Sequence, residues 1–352
     1  MQAVGCDLRK ERKMKRIIKV RSNIGFKASA SVGGYEERRG PLGENFDFCD
    51  MTDRFGQKTW ELAEGEMGRI ALNTALTKAR ISHEDISLLV AGDLQNQCVG
   101  TSLGLSGFNI PFLGVYGACS TCTESLLILT SMLDSAENSA YGAAVTTSHN
   151  SAAERQFRTP IEYGGQRPLT AQWTSTAAGA FVLERGAEVG PFITEYMVGR
   201  IVDGATADGS NMGGAMSFAA ADTIISYFKE SGERVSNFDY IVTGDLGKVG
   251  SDIVKEILSR ELPTAERLHI DCGMLLYDLT KQDAHSGASG CGTSAAVLSN
   301  HFLKLFKIGD IRNILFLSTG ALMNPQSLLQ GQNIAGIAPL IRISAEPPVH
   351  GQ

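Results

Sequence analysis

The sequence predicts an α/β fold built from two similar halves, in which helices alternate with the strands of mixed, mostly parallel sheets. The first observation is a repeated segment: "DISLLVAGDLQNQ" begins at Asp85, and "FDYIVTGDLGKVG" begins at Phe238. Both contain an acidic residue, an apolar strand and then Gly-Asp-Leu. The second observation is a stretch before each repeat, at 68–80 and 220–231, with apolar residues three and four positions apart, as in a helix. Two such halves predict two sheets covered by helices.

The similarity between the halves continues beyond these segments. Asp93 lies 26 residues before Cys119, and Asp245 lies 27 residues before Cys272. A short apolar strand precedes each cysteine. Later strands are predicted at 142–150 and 179–185 in the first half, and at 313–321 and 338–344 in the second. We therefore divide the chain into a basic N-terminal extension (1–20), a first half (21–188) and a second half (189–352). The functional cleft is expected where the C-terminal ends of the strands of both halves meet.

Composition excludes several classes of function. The chain has 352 residues, 43% of them apolar, and a net charge of −6, which allows a large core and argues against nucleic-acid binding. Because it contains neither an apolar run of membrane-spanning length nor the apolar region of a signal peptide, we expect it to stay in the compartment where it is made. Seven scattered cysteines argue against a disulfide framework. We interpret the basic run "RKERKMKR" (9–16) as a solvated extension and not a membrane contact, and Met14 is a second possible start.

The stretch "YGACSTCTESL" (116–126) places a cysteine after a predicted strand and at the start of a predicted helix. A thiol near the positive end of a helix dipole can lose its proton more easily and become a nucleophile. The same position can bind a carboxylate through backbone N–H groups, so both uses stay open here. Cys119 and Cys122 also form a Cys-x-x-Cys pair, but the duplicated architecture disfavours a thioredoxin-like redox protein. No second pair at zinc-ligand spacing follows, and Cys122 is expected in the core.

These features resemble the thiolase and ketoacyl-synthase superfamily. "GACSTCTES" looks like the nucleophile motif of that superfamily, and "SGCGTSAAVL" (289–298) is similar to the Asn-Thr-Ser-Ala-Ala segment of its ketoacyl-synthase branch. The resemblance, which runs from about residue 68 to the C-terminus, implies a thiolase-like, duplicated, five-layered αβαβα fold and a homodimer. It also implies that Cys119 lies at the start of a buried helix, in the cleft between the halves.

Four strings together resemble, more closely, a family of sporulation proteins: "AGDLQNQ", "YGACST", "TTSHNSAAERQFRTPIEYGGQRP" and "VTGDLGKVGS". The third is long and unusual, which makes it a specific signal. This resemblance implies a protein that binds dipicolinic acid (pyridine-2,6-dicarboxylate) or its calcium chelate and acts in its transport into or out of the spore. It implies partners among the other membrane subunits of the sporulation stage V transport complex. The implied location is cytoplasmic and peripheral, at the inner spore membrane.

The residues that would assist a catalytic Cys119 are altered. In the ketoacyl-synthase branch, a histidine and an asparagine activate the thiol and stabilise the oxyanion, and Gly244 and Gly292 occupy the matching places here. The thiolase branch takes a histidine from a Gly-His-Pro loop, whereas His285 in "AHSGASG" is one residue out of register and lacks the proline. Because such residues act as a unit, we expect no catalysis. The alternative is an acyltransferase or condensing enzyme that uses Cys119 with His285.

The implied ligand is flat and doubly anionic, so its site needs donors for two carboxylates and a slot for the ring. The helix start would offer N–H groups, and the segment after strand 142–150 would add polar and basic groups. The predicted ligand-binding residues are Cys119, Ser120, Thr121, Ser148, His149, Asn150, Arg155 and Arg158. Arg155 could instead pair with Glu154 or Glu162 and anchor a loop. No cofactor or metal site is expected; Asp93 and Asp245 are interpreted as turn residues, with a ligand-borne Ca²⁺ as their alternative partner.

Overall fold

A computed structural model describes residues 16–137, 140–157 and 167–349, so the predicted site residue Arg158 lies outside the described residues. The strands are β1 (Ile17–Lys19), β2 (Ile24–Gly33), β3 (Phe48–Cys49), β4 (Ile86–Gly92), β5 (Phe112–Gly114), β6 (Tyr141–Ser148), β7 (Trp173–Thr174), β8 (Ala177–Arg185), β9 (Phe192–Met197), β10 (Val202–Asp203), β11 (Tyr240–Thr243), β12 (His269–Asp271), β13 (Ala288–Ser289), β14 (Asn313–Leu317), β15 (Gly320–Leu322), β16 (Ala335–Ile337) and β17 (Leu340–Ser344). The α-helices are α1 (Tyr35–Arg39), α2 (Trp60–Ala79), α3 (Val99–Leu105), α4 (Thr121–Ser135), α5 (Asn150–Phe157), α6 (Met212–Ser231), α7 (Gly247–Glu261), α8 (Ala265–Leu268), α9 (Cys272–Leu276), α10 (Cys291–Val297), α11 (Leu303–Ile308) and α12 (Pro325–Leu329).

Three clusters of buried side chains define five layers. α2 packs on one face of β2, β4, β6 and β8, with Met67 in the cluster that they share. α4 and α10 lie between these strands and β11, β14 and β17, where Leu126 belongs to one cluster with Phe181 and Phe316. α6 and α7 cover the outer face of the second group of strands, with Ile224 in their cluster. The order helix, sheet, helix, sheet, helix is the predicted five-layered arrangement.

The strand order is the same in both halves. In the first half it is β2-β8-β6-β4-β5, and in the second half it is β9-β17-β14-β11-β12. In each set the first two pairings are antiparallel and the last two are parallel. The internal repeat predicted from the sequence is therefore confirmed by the strand order.

One feature of the predicted sheets is wrong, namely the excess of parallel pairings. The two sheets of the five-layered arrangement are joined where β2 and β9 pair antiparallel at a single pair of residues, Gly25 and Phe192. Antiparallel pairings outnumber parallel ones, five to four, along the strand order. The sequence pattern identified strands joined through helices, which run parallel. It did not identify β2 and β9, which pair antiparallel with the last strand of each half.

Helix boundaries near the predicted cleft follow from local chemistry. α2 begins eight residues before the predicted helix, because the Thr59 hydroxyl accepts a hydrogen bond from the Leu62 N–H and caps the helix. The segment after β6 forms α5, which no pattern in the sequence indicated. Only Ala152 and Ala153 of this polar helix are buried, so it lacks the apolar spacing that reveals longer helices. Among the described residues, no helix has the length and apolar character needed to cross a membrane.

Candidate functional site

Cys119 lies in the 3₁₀ turn Ala118–Ser120, between β5 and the first residue of α4. Ala118 adopts a left-handed conformation, with φ of 52°, which redirects the chain into the turn. The Cys119 side chain is 5% exposed and shares a small apolar cluster with Leu94, Ala153 and Cys291. α5, which contributes Ala153, therefore covers Cys119.

The thiol of Cys119 is held in its neutral form. Burial raises its pKa well above 9.0, and the neighbouring carboxyl group of Asp245 raises it further by charge repulsion and a hydrogen bond. α4 begins two residues later, at Thr121, so the thiol lies just outside the first helical turn. This raised pKa is the opposite of the lowered pKa that activates a nucleophilic thiol.

Asp245 links Cys119 to the second half of the chain. Its Oδ2 accepts a hydrogen bond from the Gly290 N–H at 2.8 Å, and its Oδ1 accepts one from the Thr319 hydroxyl at 2.9 Å. Burial raises the pKa of this carboxyl group from 3.8 to about 7. The interpretation of Asp245 as a turn residue is therefore wrong. For Asp93 that interpretation is confirmed, because its Oδ1 accepts a hydrogen bond from the N–H of Gln95 two residues later; its Oδ2 accepts one from the N–H of Thr101 in α3.

The hydroxyl groups predicted to bind a carboxylate next to Cys119 are engaged locally. Ser120 Oγ donates to the Gly117 carbonyl oxygen at 2.5 Å and lies 2.7 Å from Glu124 Oε1. Thr121 Oγ1 donates to a carbonyl oxygen one turn back at 2.7 Å. Both residues are fully buried. Burial also raises the pKa of Glu124, so this end of the site contains two carboxyl groups that burial makes easier to protonate.

The predicted residues at the end of β6 separate into different environments. Ser148 Oγ donates to the Ser175 carbonyl oxygen at 2.8 Å and accepts a hydrogen bond from the Gly292 N–H at 3.2 Å, which places it beside the start of α10. Asn150 Nδ2 donates to the Thr174 carbonyl oxygen at 3.0 Å, which fixes the start of α5 to β7. Ser148 therefore lies near the predicted cleft, whereas Asn150 has a structural contact.

His149 is fully buried and faces the loop before α2. Its Nε2–H donates to the Asp53 carbonyl oxygen at 2.8 Å, and its ring lies 5.3 Å from that of Trp60, centroid to centroid. Burial lowers its pKa, so the ring is neutral and its Nδ1 is a buried acceptor without a partner among the described residues. An unprotonated ring nitrogen needs a hydrogen-bond donor and does not bind a carboxylate.

The remaining predicted residues do not converge on Cys119. Arg155 is half-exposed and forms an ion pair with Glu61 of α2, which anchors α5; the partner proposed from the sequence was Glu154 or Glu162. The His285 Nδ1 lies 2.9 Å from the Pro168 carbonyl oxygen, and its Nε2 lies 2.8 Å from a carboxylate oxygen of Asp283. Both ring nitrogens of His285 are thus engaged away from the thiol.

The two glycines at the positions of the expected catalytic partners are tightly enclosed. A Cβ at Gly292 would lie 2.0 Å from the Ala177 carbonyl oxygen and 2.6 Å from Ser148 Oγ. A Cβ at Gly244 would lie 2.9 Å from the Ser318 Cα. Real Cβ contacts are longer than 3 Å, so a side chain at either position would require movement of the backbone.

Several contacts of the site have no local signal in the sequence. Cys291 Sγ donates to the Thr147 carbonyl oxygen at 3.0 Å, which places a second buried thiol in the Cys119 cluster. Glu64 Oε1 accepts a hydrogen bond from Thr147 Oγ1 at 3.0 Å, and burial together with the charge of Asp93 raises the pKa of Glu64 well above 4.5. Asp93 and Asp245, in contrast, were indicated by the sequence, because they occupy matched positions in the internal repeat.

Neither of two cavities in the described part of the chain is lined by a predicted ligand residue. One, of about 320 Å³, is lined by residues that include Trp173, Tyr277 and Gln282. The other, of about 950 Å³, is lined by residues of β2, β8 and α11. Within residues 16–137, 140–157 and 167–349, no group of three histidine, cysteine or acidic residues is arranged to hold a metal ion.

The fold is of the thiolase-like α/β class. A histidine-to-asparagine variant of OleA from Xanthomonas campestris matches with a TM-score of 0.58 and 15% identity, covering 92% of this chain and 100% of that chain. A cysteine-to-alanine variant of the same protein matches with a TM-score of 0.57 and 15% identity, covering 91% of this chain and 97% of that one. At this identity the similarity concerns the fold alone.

The chain belongs to the stage V sporulation protein AD family, whose profile matches residues 14–344. It is 40% identical over 312 residues to stage V sporulation protein AD from Bacillus subtilis (strain 168), which covers 88% of this chain and 91% of that protein. The resemblance to a family of sporulation proteins is thereby confirmed.

Proposed function

We propose that this sporulation protein binds dipicolinic acid or its calcium chelate at the Cys119 cleft and catalyses no acyl transfer. The observation that carries the proposal is the thiol–carboxyl pair of Cys119 and Asp245, whose pKa values are both raised by burial. A condensing enzyme needs the opposite arrangement, a thiol activated by a nearby base. A protonated pair can instead donate hydrogen bonds to a ligand carboxylate.

The surroundings of Cys119 also oppose the alternative of an acyltransferase that uses His285. Both nitrogens of that imidazole have other partners, and the thiol has a carboxyl group as its polar neighbour. Gly244 and Gly292 leave no space for the imidazole and amide that the superfamily resemblance would place there. An acyl-enzyme would therefore lack the groups that stabilise its oxyanion.

Access of the ligand requires a displacement of α5, because Leu94 and Ala153 cover Cys119. α5 is held by polar contacts near the surface: Arg155 pairs with Glu61, and Gln156 Nε2 donates to the Leu94 carbonyl oxygen at 3.1 Å. An exposed ion pair contributes little stability, whereas Asn150 fixes the start of α5 to β7, so we propose that the C-terminal part of α5 moves about its fixed start. Ser148 would then line the opened space with Cys119.

We further propose that the protein is a homodimer that works with other membrane subunits of the sporulation stage V transport complex, on the cytoplasmic side of the inner spore membrane. β5 is the last strand in the order of its half, and Phe112 and Leu113 on it are 44% and 37% exposed. An unpaired apolar edge is a natural site for pairing with another chain. A second copy, related to the first by a two-fold axis, would pair along β5 and so extend the sheet.

Titration calorimetry at pH 6 and pH 8, with and without Ca²⁺, tests the ligand and its form. If the free dianion binds, its affinity should be higher at pH 6, because the pKa of Asp245 is about 7 and the charged carboxylate repels the ligand above that pH. If the calcium chelate binds, the ionised carboxylate is an attractive oxygen ligand, so affinity should be higher at pH 8. Absence of binding under all four conditions would refute the proposal.

Labelling with a radioactive acyl-CoA tests the absence of catalysis. We expect no label on Cys119, because the thiol is neutral and buried. A cysteine-to-serine variant at this position gives the background. Label that appears on Cys119 and turns over would instead support the acyltransferase.

A further inference from the structure

A groove of about 950 Å³ brings together four lysines of an otherwise acidic protein. We call it the lysine groove and define it by Lys27, Lys78, Lys304 and Lys307. The lysines come from β2, the last turn of α2, and α11, so the tertiary fold, and not a local basic run, assembles the patch. Nothing in the proposed ligand site uses these residues.

The charge of the lysine groove is cancelled only in part, because the carboxylates of Glu184 and Glu188 line it together with the four ammonium groups. Lys27 pairs with Glu184, and Lys78 pairs with Asp47 at 2.6 Å. Lys304 Nζ donates to the Asn45 carbonyl oxygen at 2.8 Å, and neither it nor Lys307 has an ion pair among the described residues. An anion at the groove would therefore meet two unpaired ammonium groups.

Apolar side chains accompany these charges. Phe26 and Phe306 line the groove and are almost fully buried, which gives it an apolar floor. At its margin, Val189 is 79% exposed, and Ile308, which follows Lys307 at the end of α11, is 68% exposed. Exposed aliphatic residues next to lysines are the combination that amphipathic surfaces present to anionic lipid.

The groove lies away from the Cys119 cleft. β8 runs antiparallel to β6, with Glu184 opposite Tyr141 and Ala177 opposite Ser148. Glu184 lines the groove, so the groove lies at the end where β6 begins, whereas Ser148 lies at the end near Cys119. A surface bound at the groove would thus leave the cleft accessible.

We propose that the lysine groove docks this protein on an anionic phospholipid bilayer, with the lysines on lipid headgroups and Val189 and Ile308 at the acyl boundary. The inference rests on the peripheral membrane location in the proposed function. An acidic peptide of a partner would match the charges but would leave Val189 and Ile308 exposed, so the bilayer accounts for more of the surface. Each lysine near such a surface strengthens binding about five-fold.

Co-sedimentation of the full chain with vesicles tests this surface. We expect binding to vesicles of phosphatidylglycerol and phosphatidylcholine, weakening as salt increases, and no binding to pure phosphatidylcholine. The double variant Lys304→Glu and Lys307→Glu should bind the anionic vesicles at least about 25-fold more weakly. The control, Lys229→Glu and Lys255→Glu on α6 and α7, has the same net charge and should bind as wild type.

Three results would overturn the inference: no binding to anionic vesicles, equal losses in both double variants, or no loss in either. Every variant retains the basic N-terminal extension, so binding through that extension would show no loss in either double variant. Binding of a polyglutamate peptide without binding of vesicles would likewise reject the bilayer. Dipicolinate calorimetry on the Lys304→Glu and Lys307→Glu variant separates the two proposals, because its affinity should equal that of wild type. Vesicle binding without dipicolinate binding would reject the proposed ligand alone.

Discussion

Replacing Asp245 with asparagine removes the carboxyl group that shares the Cys119 cleft. In the folded protein the pKa of this group is raised from 3.8 to about 7, mainly by burial, so the folded state binds its proton more tightly than the unfolded chain does. Its contribution to stability is therefore fully present below about pH 4 and is lost as the pH rises through 7. This rise in pKa corresponds to about 4 kcal/mol of unfolding free energy in total, of which about 2 to 3 kcal/mol is lost between pH 5 and pH 8.

Asparagine keeps the geometry without the ionisation. Its carbonyl oxygen can accept the Gly290 N–H, and the Thr319 hydroxyl can turn to accept from its amide. We expect the unfolding free energy of Asp245→Asn, relative to wild type, to rise by about 2 to 3 kcal/mol from pH 5 to pH 8. Urea unfolding at four pH values, followed by circular dichroism, measures this difference.

Asp252→Asn on the exposed side of α7 is the matched control, and its difference from wild type should stay nearly constant over the same pH range. A constant difference for Asp245→Asn as well would refute the reasoning. It would mean that the folded protein holds an ionised carboxylate beside Cys119 throughout, and the neutral cleft proposed to bind the free dianion would not exist.

Other substitutions probe the packing and surfaces of the site. Gly292→Ala should lower the unfolding free energy by about 2 kcal/mol or more, because its Cβ would lie 2.0 Å from a backbone carbonyl oxygen. The control Gly107→Ala, whose Cβ would have no atom within 4 Å, should change the unfolding free energy little. Equal urea midpoints for the two variants would contradict this prediction. Arg155→Ala removes an exposed ion pair with Glu61 and should lower the unfolding free energy by no more than about 1 kcal/mol. Its dipicolinate affinity in calorimetry should be equal to that of wild type or slightly higher, because the ion pair holds α5 over the site. Weaker binding would instead assign Arg155 to the ligand. Phe112→Asp at the edge of β5 should convert a dimer to a monomer in sedimentation velocity, and a monomeric wild type would reject the proposed dimer.

The repeated part of the fold was predictable because its sequence pattern occurs in both halves of the chain. The Gly-Asp-Leu segments, each preceded by a helix, identified β4 and β11 and their places in the sheet. The strands β2 and β9 were missed because neither has a helix before it within its half, so no change of period marks where it begins. Their pairings, with each other and with β8 and β17, are three of the five antiparallel pairings and explain why the sheets are not mostly parallel.

The sequence indicated which residues lie near each other, but not their contacts. Cys119 of the cysteine motif and Ser148 at the end of β6 both lie beside the start of α10. His149 forms a hydrogen bond with Asp53, and Arg155 forms an ion pair with Glu61. Each partner lies about 95 positions away in the chain. No local pattern reports such pairings. The same is true of the contact between Cys119 and Asp245, on which the electrostatics of the cleft depend.

The measurement that tests the central claim most directly is calorimetric titration of the wild-type protein with dipicolinate at pH 6 and pH 8, with and without Ca²⁺, and with pyridine-2-carboxylate as the control. The control keeps the ring nitrogen and one carboxylate and lacks the second carboxylate. We expect saturable binding of dipicolinate and much weaker binding of the control. Absence of heat with dipicolinate under all four conditions, or equal binding of the two compounds, would contradict the proposed function.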